Sequence, residues 1–318
     1  HAITGALASL DMNLEGLHHV TAITADAPRN VDFYARLLGL RMVKKTVNFD
    51  APDVYHLYYG DERGRPGSIM TFFEFPNARQ GRAGAGMVHT VCWRVGSSDA
   101  LGCWERRLSD EGVAAQRRER VLRFDDPEGL TNALAVADAP DEPLVAAAEG
   151  IPAEHAIQGF HGVRAYATDE GVAATEPQLE ALAMERDDQG RWLAAGASRR
   201  GQLKWDPAPD EQGIEGAGSV HHIAWNAADD EELMAWRERI AAAGGHPTTM
   251  RDRQYFHSIY FRTPAGVLFE LATRDIGFHV DEPLEHLGEA LKLPPQHEHL
   301  RERLERTLTP LPNPRVAA

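Results

Sequence analysis

Two short stretches carry the residues whose types and spacing could do chemistry: Gly16-Leu17-His18-His19-Val20-Thr21-Ala22 and, about two hundred residues later, Ser219-Val220-His221-His222-Ile223-Ala224-Trp225. Each reads as a β-strand bearing two adjacent histidines. Successive strand residues point to opposite faces, so each pair offers one imidazole to each side of its sheet. The face of His222 also carries Ala224 and Asn226, small or polar residues that suit a cavity, whereas the face of His221 carries Ile223 and Trp225 and suits packing under a helix. In the first stretch His19 shares a face with Thr21 and Ile23, and His18 with Val20 and Ala22. His19 and His222 are therefore assigned to the cavity, with Asn226 as a substrate-binding candidate beside them.

A third ligand is expected from a neighbouring strand. Glu270, in Gly266-Val267-Leu268-Phe269-Glu270-Leu271, is a carboxylate inside an apolar strand, where an unpaired charge is expensive to bury without a cation. Two imidazoles and one carboxylate with the remaining positions open suit Fe(II), which must hold a chelating substrate and O₂ together. Mn(II) satisfies the same donors, and Zn(II) stays in play.

The elements that must position these groups repeat. A strand, a helix and three strands are read over residues 17–75, again over 88–136, more raggedly over 160–205, and again over 220–273. The opening histidines His18, His89, His161 and His221 lie 71, 72 and 60 residues apart, so four copies of a βαβββ unit are inferred. The residue after each is His19, Thr90, Gly162 and His222, and the second unit has Ala133 where the fourth has Glu270. His89 and His161 read as structural. The expected fold is α+β: four βαβββ modules forming two paired half-barrel domains, 12–137 and 156–276. A linker at 138–155 joins them, and a tail at 277–318 carries helical patterns around 284–291 and 299–308. Residues 1–11 read as a remnant of an expression vector.

The 318 residues carry a net charge of −15, which argues against nucleic acid or an anionic membrane as partner and favours a small molecule. No apolar run approaches the roughly 20 residues that span a bilayer, and a cytoplasmic location is expected. Cys92 and Cys103 read as two reduced, buried thiols. The paired units suggest a pseudo-symmetric monomer, and a homo-oligomer remains compatible with the sequence.

With these residues in view, the chain resembles the vicinal oxygen chelate superfamily of glyoxalases, bleomycin-resistance proteins and extradiol dioxygenases. It is most similar to the dioxygenases that cleave hydroquinones and chlorinated hydroquinones, through GLHHVTAIT, VHHIAW, DRQYFHSIYFRTPAGVLFELAT and LGEALKLP. The resemblance implies Fe(II) on His19, His222 and Glu270, and O₂ cleavage of a small aromatic substrate beside a hydroxyl-bearing carbon. It also implies supporting catalytic roles for His18, Thr21, His221, Arg253 and Tyr260. Tyr260 fits independently, because a hairpin closed by Thr263 to Val267 sets it directly across from Glu270. Spacing leaves Arg253 unplaced, and His257 between the two is a further candidate for substrate binding or proton transfer. Pleating alone points His18 and His221 away from the cavity, so a role near the metal requires a bulge or a strand edge. Two rival readings remain: a glyoxalase-type isomerase or lyase, which would need a second carboxylate such as Glu74, and a metal-free binding protein.

Overall fold

A computed structural model describes residues 12–312; the expected vector remnant and the end of the tail, 313–318, lie outside the described residues. The four repeats are present. Unit one comprises β1 (Leu17–Thr24), α1 (Ala27–Val31) continuing as a π-helical segment (Asp32–Leu37), β2 (Arg41–Val47), β3 (Tyr55–Gly60) and β4 (Ile69–Glu74). Unit two comprises β5 (Met87–Val95), α2 (Ser98–Asp110), β6 (Ala115–Arg118), β7 (Val121–Asp125) and β8 (Thr131–Val136). Unit three comprises β9 (Phe160–Ala167), α3 (Asp169–Ala181), β10 (Glu185–Arg186), β11 (Arg191–Ala195) and β12 (Arg200–Pro207). Unit four comprises β13 (Val220–Ala227), α4 (Asp230–Ala242), β14 (Arg251–Asp252), β15 (His257–Arg262) and β16 (Leu268–Thr273).

Each helix starts where a polar side chain accepts a backbone N–H of the first turn: Asp26, Ser97, Thr168 and Asp229. The helices then cover one face of their sheet with apolar residues at three- and four-residue spacing, as Leu101, Trp104 and Leu108 do in α2 and Leu233, Trp236 and Ile240 in α4. Unit three reads raggedly because its helix carries Pro177 in its interior and β10 is only two residues long.

The strands form two eight-stranded sheets, β14-β15-β16-β13-β1-β4-β3-β2 and β10-β11-β12-β9-β5-β8-β7-β6. Within a unit the first strand pairs parallel with the last; between units the first strands pair antiparallel, β1 with β13 and β5 with β9. The pairing is therefore nested. Units one and four build one sheet and units two and three the other, rather than the sequential halves 12–137 and 156–276. The 138–155 segment consequently joins neighbours within one sheet. Composition marks it as a connector but says nothing about which free edge each unit will meet.

The tail differs from its helical expectation. Over 284–291 only a 3₁₀ turn forms, Leu284–His286, and the chain then runs beside β2, with Lys292 N–H donating to Lys45 O at 2.9 Å. Glu282 overrides the helical pattern by accepting from Gly288 N–H and Ala290 N–H, and it also receives the buried Lys44 ammonium at 2.7 Å. Gly288 has φ 79°, and a Cβ there would collide with Met42 O, so the close pass requires glycine. In the second expected stretch an α-helix, α5 (Arg301–Thr307), does form. Among the described residues no helix is long and apolar enough to cross a membrane. Cys92 is buried and Cys103 half-buried, both unpaired.

Candidate metal centre

The site sits where β1 and β13 pair at the centre of the first sheet, and its geometry depends on two irregularities. Leu17 faces Trp225 and His19 faces Ala224, then Thr21 faces His222 and Ala22 faces Val220. Each slip is a β-bulge holding one extra residue, His18 in β1 and His221 in β13. The bulges bring both residues to the side of their neighbours, against the alternation that a regular strand would impose. His18 Nδ1 lies 2.9 Å from His19 Nδ1, and His221 Nδ1 lies 2.7 Å from His222 Nδ1.

Among the described residues, His19, His222 and Glu270 bring their ligand atoms together. Glu270 Oε2 lies 3.1 Å from His19 Nε2 and 2.9 Å from His222 Nε2, and the two Nε2 atoms are 3.3 Å apart. Protonation states follow from the surroundings. Thr273 O, 3.1 Å from His18 Nε2, is only an acceptor, so His18 carries its proton on Nε2. Burial, and then the nearby His19, lower the His18 pKa to about 3, so the ring is neutral and its Nδ1 is a lone pair. His19 must donate from Nδ1, which leaves its Nε2 lone pair aimed at the centre. Burial likewise lowers the His222 pKa, against its hydrogen bond to Glu270. Burial alone would raise the Glu270 carboxyl, but the charge and hydrogen bonds of the two histidines hold it well below the usual carboxylate range. Nε2 of His19, Nε2 of His222 and Oε2 of Glu270 thus converge in a dry place, where one shared cation can bind all three.

The triangle fits a divalent metal. Bonds of about 2.1 Å at right angles separate neighbouring donors by about 3 Å, close to the three edges measured. The mixed donor set of two imidazoles and one carboxylate suits a divalent transition metal such as Fe(II), Mn(II) or Zn(II).

Around the triangle lies a cleft of about 230 Å³. Tyr260 stands directly across from Glu270 in the β15–β16 pair, as expected from the hairpin, and its hydroxyl donates to Glu270 Oε1 at 2.9 Å. Arg253, on the turn between β14 and β15, donates from Nε to the Tyr260 oxygen at 3.1 Å and stacks over its ring. Burial raises the Tyr260 pKa, so the phenol stays protonated. Thr21 lines the cleft, 3.4 Å from Thr71 through their hydroxyls. Phe256 packs against both His18 and His19 with centroids 5.1 Å away.

Among the cleft residues that the sequence reading did not single out are two with polar side chains facing the site. His56 and Tyr58 lie on one face of β3, with His56 bonded to Thr71 Oγ1 at 2.5 Å and to the Tyr58 hydroxyl at 2.9 Å. Burial pushes His56 well below its ordinary pKa. Tyr58 pairs with Thr71 as Tyr260 pairs with Glu270, so superposing unit one on unit four would have found it.

Three expected candidates lie elsewhere. Asn226 follows the cavity face of β13 beyond the end of the cleft, where its side-chain N–H reaches Glu15 O at 3.4 Å. His257 has the opposite parity to Ser258 and Tyr260, so it turns outward and bonds Asp230 of α4 at 2.7 Å. Glu74 pairs with Thr24 at the strand end and accepts from Ala27 N–H at the start of α1; Thr71 holds the place matching Glu270. The second carboxylate of an isomerase-type site is therefore not supplied by Glu74.

Known proteins share this organisation. A Bacillus subtilis protein described as a ring-cleaving dioxygenase, MhqO, is 41% identical over 304 residues, covering 93% of this chain and 96% of its own. The chlorohydroquinone/hydroquinone 1,2-dioxygenase of Sphingobium indicum is 33% identical over 317 residues, covering 94% of this chain and 97% of its own. A crystal structure of a Bacillus subtilis protein described as a dioxygenase superposes with TM-score 0.87 at 39% identity, covering 94% of this chain and 98% of that one. Glyoxalase I of Zea mays, at 14% identity and TM-score 0.60 over 84% of this chain and 96% of its own, shares the fold. The profile of the Glyoxalase/Bleomycin resistance protein/Dioxygenase superfamily matches residues 16–134 and 141–271, and this chain belongs to that superfamily.

Proposed function

We propose that the protein is an Fe(II)-dependent extradiol-type dioxygenase that opens the ring of a hydroquinone, a substituted hydroquinone or a catechol, with the metal on His19, His222 and Glu270. The observation that carries this reading is the triangle of three converging donor atoms, with the tautomer of His19 set from outside by His18 and the Thr273 carbonyl. The dioxygenase names of relatives that span nearly the whole chain support the choice of reaction. Mn(II) would be held by the same donors.

The chemistry supplied by Fe(II) in such a site is Lewis acidity toward a phenol oxygen and electron exchange between an aromatic ring and O₂. The remaining work falls to the chain. Phe49, Phe73, Phe75 and Phe256 line the cleft and exclude water from a flat ring. An apolar cavity of about 150 Å³ already takes up benzene, so the volume here accommodates one substituted ring. Arg253 places a cation beside the Tyr260 oxygen and offsets negative charge that develops on an ionised substrate. Tyr260, kept protonated by burial, steadies Glu270 through Oε1 and leaves Oε2 for the metal. From the other half of the sheet Tyr58 and His56, the latter backed by Thr71, offer hydrogen bonds to a second ring hydroxyl. That polar strip favours a diol over a simple phenol.

The test is O₂ consumption by Fe(II)-loaded protein with hydroquinone, chlorohydroquinone, catechol and a hemithioacetal, followed by ¹⁸O analysis of the product. Uptake with a diol and label in a ring-opened acid is expected. No uptake with any phenol, or turnover of the hemithioacetal alone, would overturn the reading.

A further inference from the structure

The second sheet has a cavity at the place that matches the metal cleft, and its residues have changed sign. The register gives the correspondence. In the first sheet a row of cross-strand neighbours runs Ala224, Glu270, Tyr260. In the second sheet the same row, through β9, β12 and β11, runs Arg164, Lys204, Arg191. In the other half, Thr21, Thr71 and Tyr58 are replaced by Cys92, Ala133 and Arg123. Thr90 and Gly162 stand for the two ligand histidines. Lysine thus occupies the position of the metal-binding glutamate, and arginines occupy those of both tyrosines.

These substitutions line a cavity of about 290 Å³ with Arg123, Arg164, Arg191 and Lys204 and with no aspartate or glutamate. Three like charges directly opposite one another on adjacent strands destabilise a sheet unless something negative lies between them. Two carboxylates outside the cavity offset part of the charge: Asp206 holds Arg164 through Nε at 2.7 Å, and Asp187 holds Arg191 through Nε at 2.7 Å. The other two cations have neutral partners. Arg123 donates to Thr90 Oγ1 at 3.2 Å, and Lys204 donates to the Gln189 carbonyl. A surplus of two positive charges remains, in a chain whose net charge is −15. Beside polar Thr90, His161, Gln189 and Gln202, the cavity also has an apolar part of its wall, from Val121, Ala133, Ala135 and Val163. A hydrated inorganic anion would leave that wall bare.

We infer that the second sheet holds a binding site for a small organic carboxylate. The carboxylate is received by Lys204 and the flanking arginines, and the hydrocarbon part lies on the apolar wall. No metal is involved, and the inference does not rest on the ring-cleavage reading.

The test is calorimetric titration of the full chain, treated with a chelator, with benzoate, with cis,cis-muconate and with inorganic phosphate. Saturable binding of a carboxylate at one site per chain is expected, weakening as salt is raised. Removing one charge-assisted hydrogen bond costs enough to weaken binding about tenfold or more, so Lys204→Met and Arg123→Gln should each do so. Arg123 is exposed, so its variant tests the site without risk to the fold, and Arg123→Lys should recover part of the affinity. Absence of binding by every probe, binding of phosphate alone, or carboxylate affinity unchanged in both variants would overturn the inference.

Discussion

The two sheets share a strand order and four bulged histidines, yet they have come to opposite chemistry. In β5 and β9 the register slips at His89 and His161 just as β1 and β13 slip at His18 and His221. A bulged histidine therefore belongs to the architecture, and the residue after it decides what the sheet can do. In the first sheet that residue is a second histidine, and the bulged ring backs it. In the second it is Thr90 or Gly162, and His89 turns instead to the Thr90 hydroxyl at 2.9 Å and to Asp206 at 2.9 Å. The second sheet has also lost the room for a histidine at position 162, because a Cβ on Gly162 would collide with the Gln202 carbonyl oxygen. Restoring histidine there would push β9 off β12. The nested pairing keeps the difference clean, since both ligand strands share one sheet and both substituted strands share the other.

The largest expected effect separates the sheets outright. His222→Ala should abolish stable iron binding and turnover, because it removes one proposed donor of three, whereas Thr90→Ala, at the second-sheet position that matches His19, should leave metal content unchanged. Elemental analysis of both purified variants decides it. Normal iron in His222→Ala would end the ligand assignment.

Tyr260→Phe is the next test. It keeps the three donors but removes the hydroxyl between Glu270 and Arg253, so metal content should hold while kcat falls by about 10²-fold. A fall in metal content equal to the fall in rate would show that Tyr260 acts only by holding Glu270.

Those residues were legible in the sequence for definite reasons. A double histidine recurring in equivalent strands, a glutamate inside an apolar strand and a tyrosine one hairpin away all leave marks in spacing. A bulge leaves none: it changes register without changing the sequence distance between His18 and His19, so simple alternation sent the bulged histidines to the wrong face. His56 sat in a strand that otherwise reads as apolar and aromatic. Asn226 and His257 went astray for opposite reasons, one lying on the right face past the end of the cleft and the other on the wrong face beside it. The nested pairing of units was hidden because every unit offers the same free edge. The tail pattern at 284–291 was overridden by contacts that only form in three dimensions, Glu282 with Lys44 and with two backbone N–H groups.

A smaller effect should distinguish the two bulged histidines of β1 and β5. His18 fixes the tautomer of His19, a proposed metal ligand, and loss of such outer partners costs about 10- to 100-fold in metal affinity. His18→Leu should show that loss in a competition with a chelator. His89→Leu should show none, because its ring is stacked on Tyr166 in the other sheet. Equal losses in both variants would mean that the bulges act on the metal through general stability alone.

The smallest effect concerns His161, the second sheet's counterpart of His221. Burial first, and then the cationic surroundings of Arg94 and Arg191, lower its pKa from 6.5 to about 4. Between these values the unfolded chain binds a proton that the folded chain refuses, so the free energy of unfolding falls as pH falls. The contribution is intact above about pH 6.5 and is lost progressively down to about pH 4. Because the ring is partly open to solvent, the slope should be about 1 kcal/mol per pH unit or less. His161→Phe removes the titrating group, so its denaturant midpoint should decline less than that of the parent protein between pH 6.5 and pH 4.5. Parallel declines would show that His161 takes up its proton in the folded state at an ordinary pH.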